Sequence, residues 1–158
     1  MATKSDPENL LLIETTKGPV VIQLRPDLAP QHVERIKKLV REGFYNGIAF
    51  HRVIEGLMAQ TGCPKGTGTG GSNYPDLKAE FNSEPHVRGV CSMARAQNPN
   101  SANSQFFICF DEASFLDKQY TVWGKVREGM ENVDKIKRGE PVANPDKIKS
   151  LKVAADVS

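Results

Sequence analysis

An arginine placed between apolar residues is the first feature of this sequence that suggests chemistry. It lies in the stretch FHRVI at positions 50–54. Because successive side chains of a strand point to opposite faces, Phe50, Arg52 and Ile54 are expected to share one face. A guanidinium stays charged and holds its N–H donors in a rigid fork, and apolar neighbours strengthen its hydrogen bonds by excluding water. Arg52 is thus a candidate donor at a reacting centre, with a snorkelling surface arginine as the plainer interpretation.

Two further stretches carry side chains that suit a peptide-binding surface. Met58 and Gln60 share a face after the turn at positions 55–56, and Gln105 and Phe107 share a face further along the chain. Amides donate and accept hydrogen bonds, whereas Met and Phe offer apolar area. The opposite face of the second stretch has the composition of a core: Phe106, Ile108 and Phe110. From composition alone, Phe107 is better interpreted as a core residue, and Arg52 as a surface residue.

A glycine-rich stretch, GTGTGG at positions 66–71, matches the dinucleotide-binding pattern G-x-G-x-x-G. That motif binds pyrophosphate where a strand precedes it and a helix begins within it. Here Pro64 precedes the glycines and SNYP follows at positions 72–75, a stretch that does not begin a helix. We therefore expect a loop without a cofactor.

The histidines and cysteines form no recognised catalytic or metal-binding motif. His32 falls in the first turn of a predicted helix, where a solvated side chain is expected, and His51 is predicted to be a hydrogen-bonded core residue. Cys91 and Cys109 lie in apolar strands, so Cys63 is the thiol expected to be accessible. No C-x-x-C spacing occurs, so the pattern indicates neither a zinc site nor a disulfide framework.

Length, charge and composition are those of an ordinary globular protein. The chain has 158 residues, a formal net charge of +2 and 25% charged residues, which predicts a single domain over 1–158 with its core at about 10–155. The mild charge favours no nucleic-acid partner, and no apolar stretch is long enough to span a membrane. The polar N-terminus does not resemble a signal peptide, and the cysteine usage favours the cytoplasm.

The elements that must position these residues are mostly short strands. A β-hairpin is predicted from residues 10–15 and 19–24, around Gly18. Further β-like runs are 48–54, 57–61, 90–94, 105–110, 121–126 and 148–155. A helix should begin at Pro30 and end before Gly43, and a shorter helix is predicted over residues 130–138. Many strands with few helices predict a mainly β barrel or sandwich, and the pattern does not choose between the two.

Several of these stretches, taken in order, resemble the cyclophilin-type peptidyl-prolyl cis–trans isomerases. The matching motifs are FHRVI (50–54), MAQ (58–60), GTGG (68–71), SMA (92–94) and SQFFI (104–108), with FYNG (44–47), LD (116–117) and WGKV (123–126) in support. The resemblance extends from about residue 10 to residue 155. It implies a closed eight-stranded antiparallel barrel capped by two α-helices, with a substrate groove on its outer side. It therefore favours the barrel over the sandwich.

The resemblance also implies roles for individual residues. Arg52 would be the catalytic donor, and the substrate groove would include Phe50, Leu57, Met58, Gln60, Ala94, Arg95, Ala96, Gln105, Phe107, Phe115, Leu116 and Tyr120. The substrates would be proline-containing peptides and unfolded or flexible protein segments. Rotation about an X–Pro bond breaks no covalent bond, so we expect no metal and no cofactor. A monomer is expected, because the sequence has no coiled coil or interaction tail.

Four positions depart from the pattern of the well-known eukaryotic cyclophilins. Leu57 stands where a pocket Phe is usual, so the pocket should be less aromatic. Phe115 stands where a Trp holds cyclosporin, which predicts reduced affinity for that drug. Tyr120 replaces a His, and Arg95 replaces an Asn and adds a charge beside the peptide path. These departures, together with compact loops, suggest a bacterial-type cytoplasmic member.

Two other functions fit parts of the sequence. A module of the same fold could bind proline motifs without turnover, although such a module has no need of Arg52 as a donor to a transition state. A redox-responsive chaperone acting through Cys63 is the other alternative, and it requires that thiol to be reachable.

Overall fold

The eight strands and their order determine where the candidate residues lie. The structure is a computed structural model that describes residues 6–157. Its strands are β1 (Leu10–Thr15), β2 (Gly18–Leu24), β3 (Arg52–Ile54), β4 (Met58–Thr61), β5 (Val90–Met93), β6 (Phe106–Cys109), β7 (Val122–Glu128) and β8 (Ile148–Val153). Their spatial order is β3-β4-β6-β5-β7-β2-β1-β8, and every pairing is antiparallel. The absence of a signal peptide, predicted from the N-terminal sequence, partly concerns residues 1–5, which lie outside the described range.

The predicted barrel is confirmed as a curled eight-stranded sheet, but the word "closed" overstates its shape. The end strands β3 and β8 do not form a ladder with each other. Instead, residues 47–50 meet the chain around the start of β8 through an isolated bridge between Ala49 and Lys147. The backbone N–H of Phe50 also donates to Asp146 O at 2.8 Å, and that of Ile148 donates to Ile48 O at 2.8 Å. The family resemblance implied a closed barrel, whereas here the predicted strand 48–54 is regular only over Arg52–Ile54, so β3 is too short to form a ladder with β8.

Helix α1 (Pro30–Arg41) confirms the first predicted helix and its core-facing stripe. Pro30 suits the first turn because that position has no intrahelical partner for an N–H. Val33, Ile36 and Val40 are buried, as is Leu39. The prediction for His32 is wrong: its side chain is fully buried, and Nδ1 lies 2.6 Å from Glu80 Oε1. A carboxylate from a distant loop replaces the solvent expected at this position.

Helix α2 (Met130–Val133) is shorter than the predicted 130–138. Beyond it the chain continues in tight turns, with Lys135 N donating to Asn132 O and Ile136 N donating to Val133 O. Arg138 Nη1 then donates to the carbonyl oxygens of Asp134 and Ile136, each at 2.7 Å. The apolar periodicity continues through this segment, since Val133 and Ile136 are both buried. Arg138 thus binds two carbonyls that a helix continued through this segment would use.

The inner face of the curled sheet holds the main core. Phe106 contacts Trp123 edge to face at 5.2 Å between ring centroids and Tyr45 at 5.6 Å. Tyr45 is fully buried and donates its hydroxyl to Ser104 O at 2.8 Å. Cys91 and Cys109 are fully buried, as predicted. Within residues 6–157, no helix is long and apolar enough to cross a bilayer.

Candidate active site

A second apolar cluster lies on the outer face of the same sheet. Phe107 and Met58 belong to it, whereas Phe106 and Ile108 belong to the inner core. The alternation of side chains along β6 therefore separates the two faces, as the sequence predicted. Leu57, Leu116 and Tyr120 pack around the outer cluster as half-buried residues.

This cluster forms the floor of a cavity of about 260 Å³. The cavity is lined by Arg52, Leu57, Met58, Gln60, Ala94, Arg95, Phe107, Phe115, Leu116 and Tyr120. A second cavity of about 390 Å³ lies beside it, and Gln60, Ala94 and Arg95 line both. Ala96 and Gln105 line the second cavity. The two cavities together bring eleven candidate groove residues and Arg52 into one continuous surface.

Phe50 is the exception among the predicted groove residues. Its side chain is 1% exposed, packs in the inner core and lines neither cavity. The expected shared face of Phe50 and Arg52 fails because regular strand structure begins only at Arg52. We therefore correct Phe50 from a groove residue to a core residue.

Arg52 sits at the edge of the apolar cavity, with its guanidinium held by two side chains. Its Nε donates to Glu140 Oε2 at 2.7 Å, and its Nη1 donates to Gln60 Oε1 at 3.3 Å. The pairing of Arg52 with Gln60 across β3 and β4 places the second contact. The side chain is 42% exposed, so solvent or a ligand can reach it. Glu140 was not identified from the sequence, since 88 residues separate it from Arg52.

Gln60 and Gln105 connect Arg52 to the glycine-rich loop. Gln60 Nε2 donates to Gln105 Oε1 at 2.9 Å. Gln105 Nε2 in turn donates to the carbonyl oxygens of Gly68 and Gly70 at 3.0 and 2.9 Å. The segment 66–71 is a loop that borders the second cavity, as the rejection of the dinucleotide pattern predicted. Its carbonyl groups orient the amides beside Arg52.

Cys63 accepts hydrogen bonds from the backbone of the glycine-rich loop. The prediction that its thiol is accessible is wrong. The side chain is fully buried, and the backbone N–H groups of Gly68 and Gly70 each donate to its Sγ at 3.3 Å. Burial raises the pKa of the Cys63 thiol, but hydrogen bonds from backbone N–H groups of the loop outweigh burial and lower the pKa to about 7. The Cys63 side chain is enclosed, so a redox role would require the loop to open.

Arg95 lines both cavities, and its guanidinium is held by contacts within the protein. Its Nε and Nη2 donate to Gln119 O at 3.0 and 2.7 Å, and its guanidinium lies 4.5 Å from the centroid of the Tyr120 ring. Tyr120 meets Phe107 edge to face at 5.8 Å. The arginine thus fixes the tyrosine at the wall of the cavity.

A buried histidine supports the pocket floor from behind. The His86 ring stacks on Phe107 with centroids 6.2 Å apart and an interplanar angle of 21°. Its Nδ1 lies 3.0 Å from Asp117 Oδ1, and its Nε2 lies 2.9 Å from Ser92 Oγ. The sequence contained no local signal for this arrangement, because the three residues belong to separate segments. His86 and Ser92 are fully buried, so they hold Phe107 in place and do not face the groove.

His51 is buried as predicted, but the expected hydrogen bonds are absent. Neither of its ring nitrogens has a hydrogen-bond partner among the described residues. Gly68 lies beside the ring: a Cβ on that glycine would stand 3.4 Å from His51 Nε2. Burial lowers the pKa of His51, and the charge of Arg52 lowers it further.

The buried histidines predict that acid weakens the fold. Burial is the main cause that lowers the pKa of His32, His51 and His86, and Glu80 and Asp117 only partly offset it at His32 and His86. The unfolded chain, with histidine pKa values of about 6.5, then binds more protons than the native protein below neutral pH. We expect the free energy of unfolding to fall as the pH drops from about 7 to about 5.5.

Urea unfolding followed at several pH values measures this dependence. His51→Leu provides the control, since it removes one titrating ring that has no hydrogen-bond partner, and its slope against pH should be smaller than that of the wild type. A free energy of unfolding that stays constant or rises on acidification would contradict the prediction.

Comparison with known proteins agrees with this geometry. Residues 10–153 match the family model described as cyclophilin type peptidyl-prolyl cis-trans isomerase/CLD. A cyclophilin from Hirschia baltica superposes with a TM-score of 0.92 at 34% identity, covering 99% of this chain and 77% of that one. The curled sheet with its outer apolar pocket is therefore a cyclophilin fold.

Two further relatives are similar over most of their length. A probable peptidyl-prolyl cis-trans isomerase of Brucella suis is 59% identical over 171 aligned positions, covering 98% of this chain and 87% of that protein. A cyclophilin-type isomerase of Cryptosporidium parvum, solved in the presence of the dipeptide Ala-Pro, has a TM-score of 0.85 at 27% identity, covering 91% and 98% of the two chains. The chain belongs to the cyclophilin-type peptidyl-prolyl cis–trans isomerase family.

Proposed function

We propose that this isomerase accelerates X–Pro rotation by donating a hydrogen bond from Arg52 to the prolyl nitrogen of the twisted transition state. The observation that carries the proposal is the position of the Arg52 guanidinium at the edge of the apolar cavity built on Phe107 and Met58. A proline ring on Phe107 would bring its nitrogen towards the arginine. The side chains needed to hold an apolar ring and to stabilise its nitrogen thus line the same cavity.

The physical demands of the reaction match this arrangement. Rotation about an X–Pro bond crosses a barrier of about 18–20 kcal/mol because the amide loses its resonance. In the planar ground state the lone pair of the prolyl nitrogen is delocalised into the carbonyl, and in the twisted state it becomes localised and able to accept a hydrogen bond. A donor fixed near that nitrogen stabilises the transition state more than the ground state, and only such a difference accelerates the step. Arg52 supplies a charged donor whose direction is already restrained by Gln60 and Glu140.

The remaining cavity residues would bind the peptide on either side of the proline. Leu57, Met58, Phe107 and Leu116 would hold the ring by apolar contact. Gln60, Gln105 and the backbone groups of residues 94–96 would hydrogen-bond the peptide backbone, and the N–H of Arg95 would hold the carbonyl that precedes proline. The Cryptosporidium relative, solved in the presence of Ala-Pro, supports the choice of proline-containing peptides as substrates. Flexible protein segments that contain proline would be substrates of the same kind. We infer a cytoplasmic location, in keeping with three unpaired, buried cysteines. We also infer that the protein acts as a monomer.

Exchange NMR on an Ala-Pro peptide tests the proposed function directly. Uncatalysed exchange takes tens to hundreds of seconds, so no exchange cross-peaks form within a short mixing time. Catalytic amounts of the protein should produce cross-peaks between the cis and trans signals. Saturable peptide binding without exchange would instead favour the non-catalytic binding module.

Cyclosporin binding should be weak and should improve in Phe115→Trp. Phe115 is 70% exposed at the cavity wall, and its ring has no N–H donor. A tryptophan would restore that donor and add aromatic area, and one added hydrogen bond near 1 kcal/mol corresponds to about a fivefold tighter Kd. Isothermal titration calorimetry measures the difference. Equal or tighter binding by the wild-type protein would show that the missing indole does not limit affinity.

A further inference from the structure

The carboxylate of Glu140 lies against Arg52 because a late segment of the chain pairs with strand β3. Gly139 and Val53 exchange backbone hydrogen bonds in both directions, each at 2.8 Å, and Val142 N donates to His51 O at 3.1 Å. These three bonds fix residues 139–142 beside β3. Glu140 is thereby held next to Arg52 by backbone geometry and not by its side chain alone.

The planar guanidinium of Arg52 is contacted at two separate nitrogens, and these two contacts restrict its rotation. Glu140 Oε2 accepts from Nε at 2.7 Å, and Gln60 Oε1 accepts from Nη1 at 3.3 Å. Among the described residues, the structure records no hydrogen bond from Arg52 Nη2. A donor therefore remains available on a guanidinium whose orientation is set before a substrate arrives.

We propose that Glu140 is a positioning residue that orients the Arg52 guanidinium for catalysis. This role rests on the proposed donation from Arg52 to the prolyl nitrogen. Fixing a donor in advance removes the cost of ordering it during the reaction, so the benefit appears in the chemical step. The side chains of the pair are 42% and 58% exposed, and exposed ion pairs contribute little to stability. Loss of Glu140 should therefore affect the rate and leave the fold intact.

Glu140→Ala and Glu140→Gln test this role in the exchange assay. Glu140→Ala should lower kcat by about threefold or more with KM nearly unchanged, because the donor is no longer oriented before the transition state. Glu140→Gln should recover most of the loss, since its amide oxygen still accepts from Nε. Glu55→Ala is the matched control: Glu55 pairs with Arg138 at 3.2 Å, is 80% exposed, lines neither cavity, and should give wild-type rates.

A double-mutant cycle separates positioning from a general structural effect. In the Arg52→Ala background, Glu140→Ala should cause no further loss, because the group it orients is gone. Three results would each overturn the inference. The first is an equal loss of rate from Glu140→Ala in the wild-type and Arg52→Ala backgrounds, and the second is a wild-type or raised rate for Glu140→Ala. The third is a Glu140→Gln protein as slow as Glu140→Ala. If Arg52→Ala itself remained fully active, the proposed mechanism would fail. If Arg52→Ala were slow while Glu140→Ala matched the wild type, only the role of Glu140 would fail.

Discussion

Arg52→Ala is expected to lower kcat/KM for an Ala-Pro peptide by about tenfold or more, a loss of about 1.4 kcal/mol or more in transition-state stabilisation. The change removes the donor at the edge of the cavity, and Met58, Phe107 and Leu116 remain to hold the proline ring. The peptide should therefore still bind while its rotation slows. Since the arginine side chain is 42% exposed and paired only at the surface, the thermal midpoint should change little.

Two further arginine variants make this test specific. Arg52→Lys keeps the charge but loses the planar fork, so it cannot keep both the Glu140 and the Gln60 contacts in their present geometry and should recover only part of the rate. Arg25→Ala removes another half-exposed arginine that pairs with a carboxylate, Asp27 at 2.8 Å, away from both cavities. It should leave the rate unchanged. Near wild-type kcat/KM for Arg52→Ala would refute the assignment of Arg52.

Phe107→Ala is expected to reduce both binding and stability. The ring is 4% exposed, stacks on His86 and meets Tyr120 edge to face, so its removal opens the pocket floor. Loss of a buried phenylalanine costs about 3–5 kcal/mol of unfolding free energy. The loss of apolar contact with the proline ring should lower kcat/KM by about tenfold or more, mainly through KM.

The neighbouring residue on the same strand provides the control. Ile108 is 1% exposed but packs in the inner core, on the opposite face of β6. Ile108→Ala should lose a comparable amount of stability, about 2–5 kcal/mol, without a comparable change in KM. Urea unfolding measures the loss of stability in each variant. Exchange NMR, run at a temperature at which both variants remain folded, measures kcat/KM. Equal losses of kcat/KM in the two variants would show that activity follows stability and not the pocket.

The regular elements were predictable where a local pattern decides them. The hairpin of β1 and β2 follows from two apolar runs around Gly18, and α1 follows from Pro30 and a stripe of apolar residues spaced for one helix face. In β6, the alternation of Phe106, Phe107 and Ile108 indicates two faces. These predictions held because side-chain periodicity along one element depends only on that element's own geometry.

The errors arose where a distant segment determined the environment of a residue. His32 is buried because Glu80 accepts its hydrogen bond from a loop 48 residues away. Cys63 is enclosed because the loop containing Gly68 and Gly70 folds over it. Phe50 turns inward because the regular strand begins at Arg52, four residues later than the predicted start at residue 48. Burial and partner choice are properties of the assembled chain, and short-range spacing does not encode them.

By itself, the sequence determined the class of protein and most residues of the pocket. The motifs around Arg52, Met58 and Phe107 identify the family, and strand alternation separates pocket residues from core residues. Only the tertiary structure decided how the guanidinium of Arg52 is held, because Gln60 approaches from the next strand and Glu140 from a segment 88 residues away. The tertiary structure also decided which of the two predicted groove phenylalanines lines the cavity. Phe107 lines it, whereas Phe50 packs in the core. The physical reason is that a hydrogen bond or a packed contact needs two partners, and the second partner here comes from elsewhere in the chain.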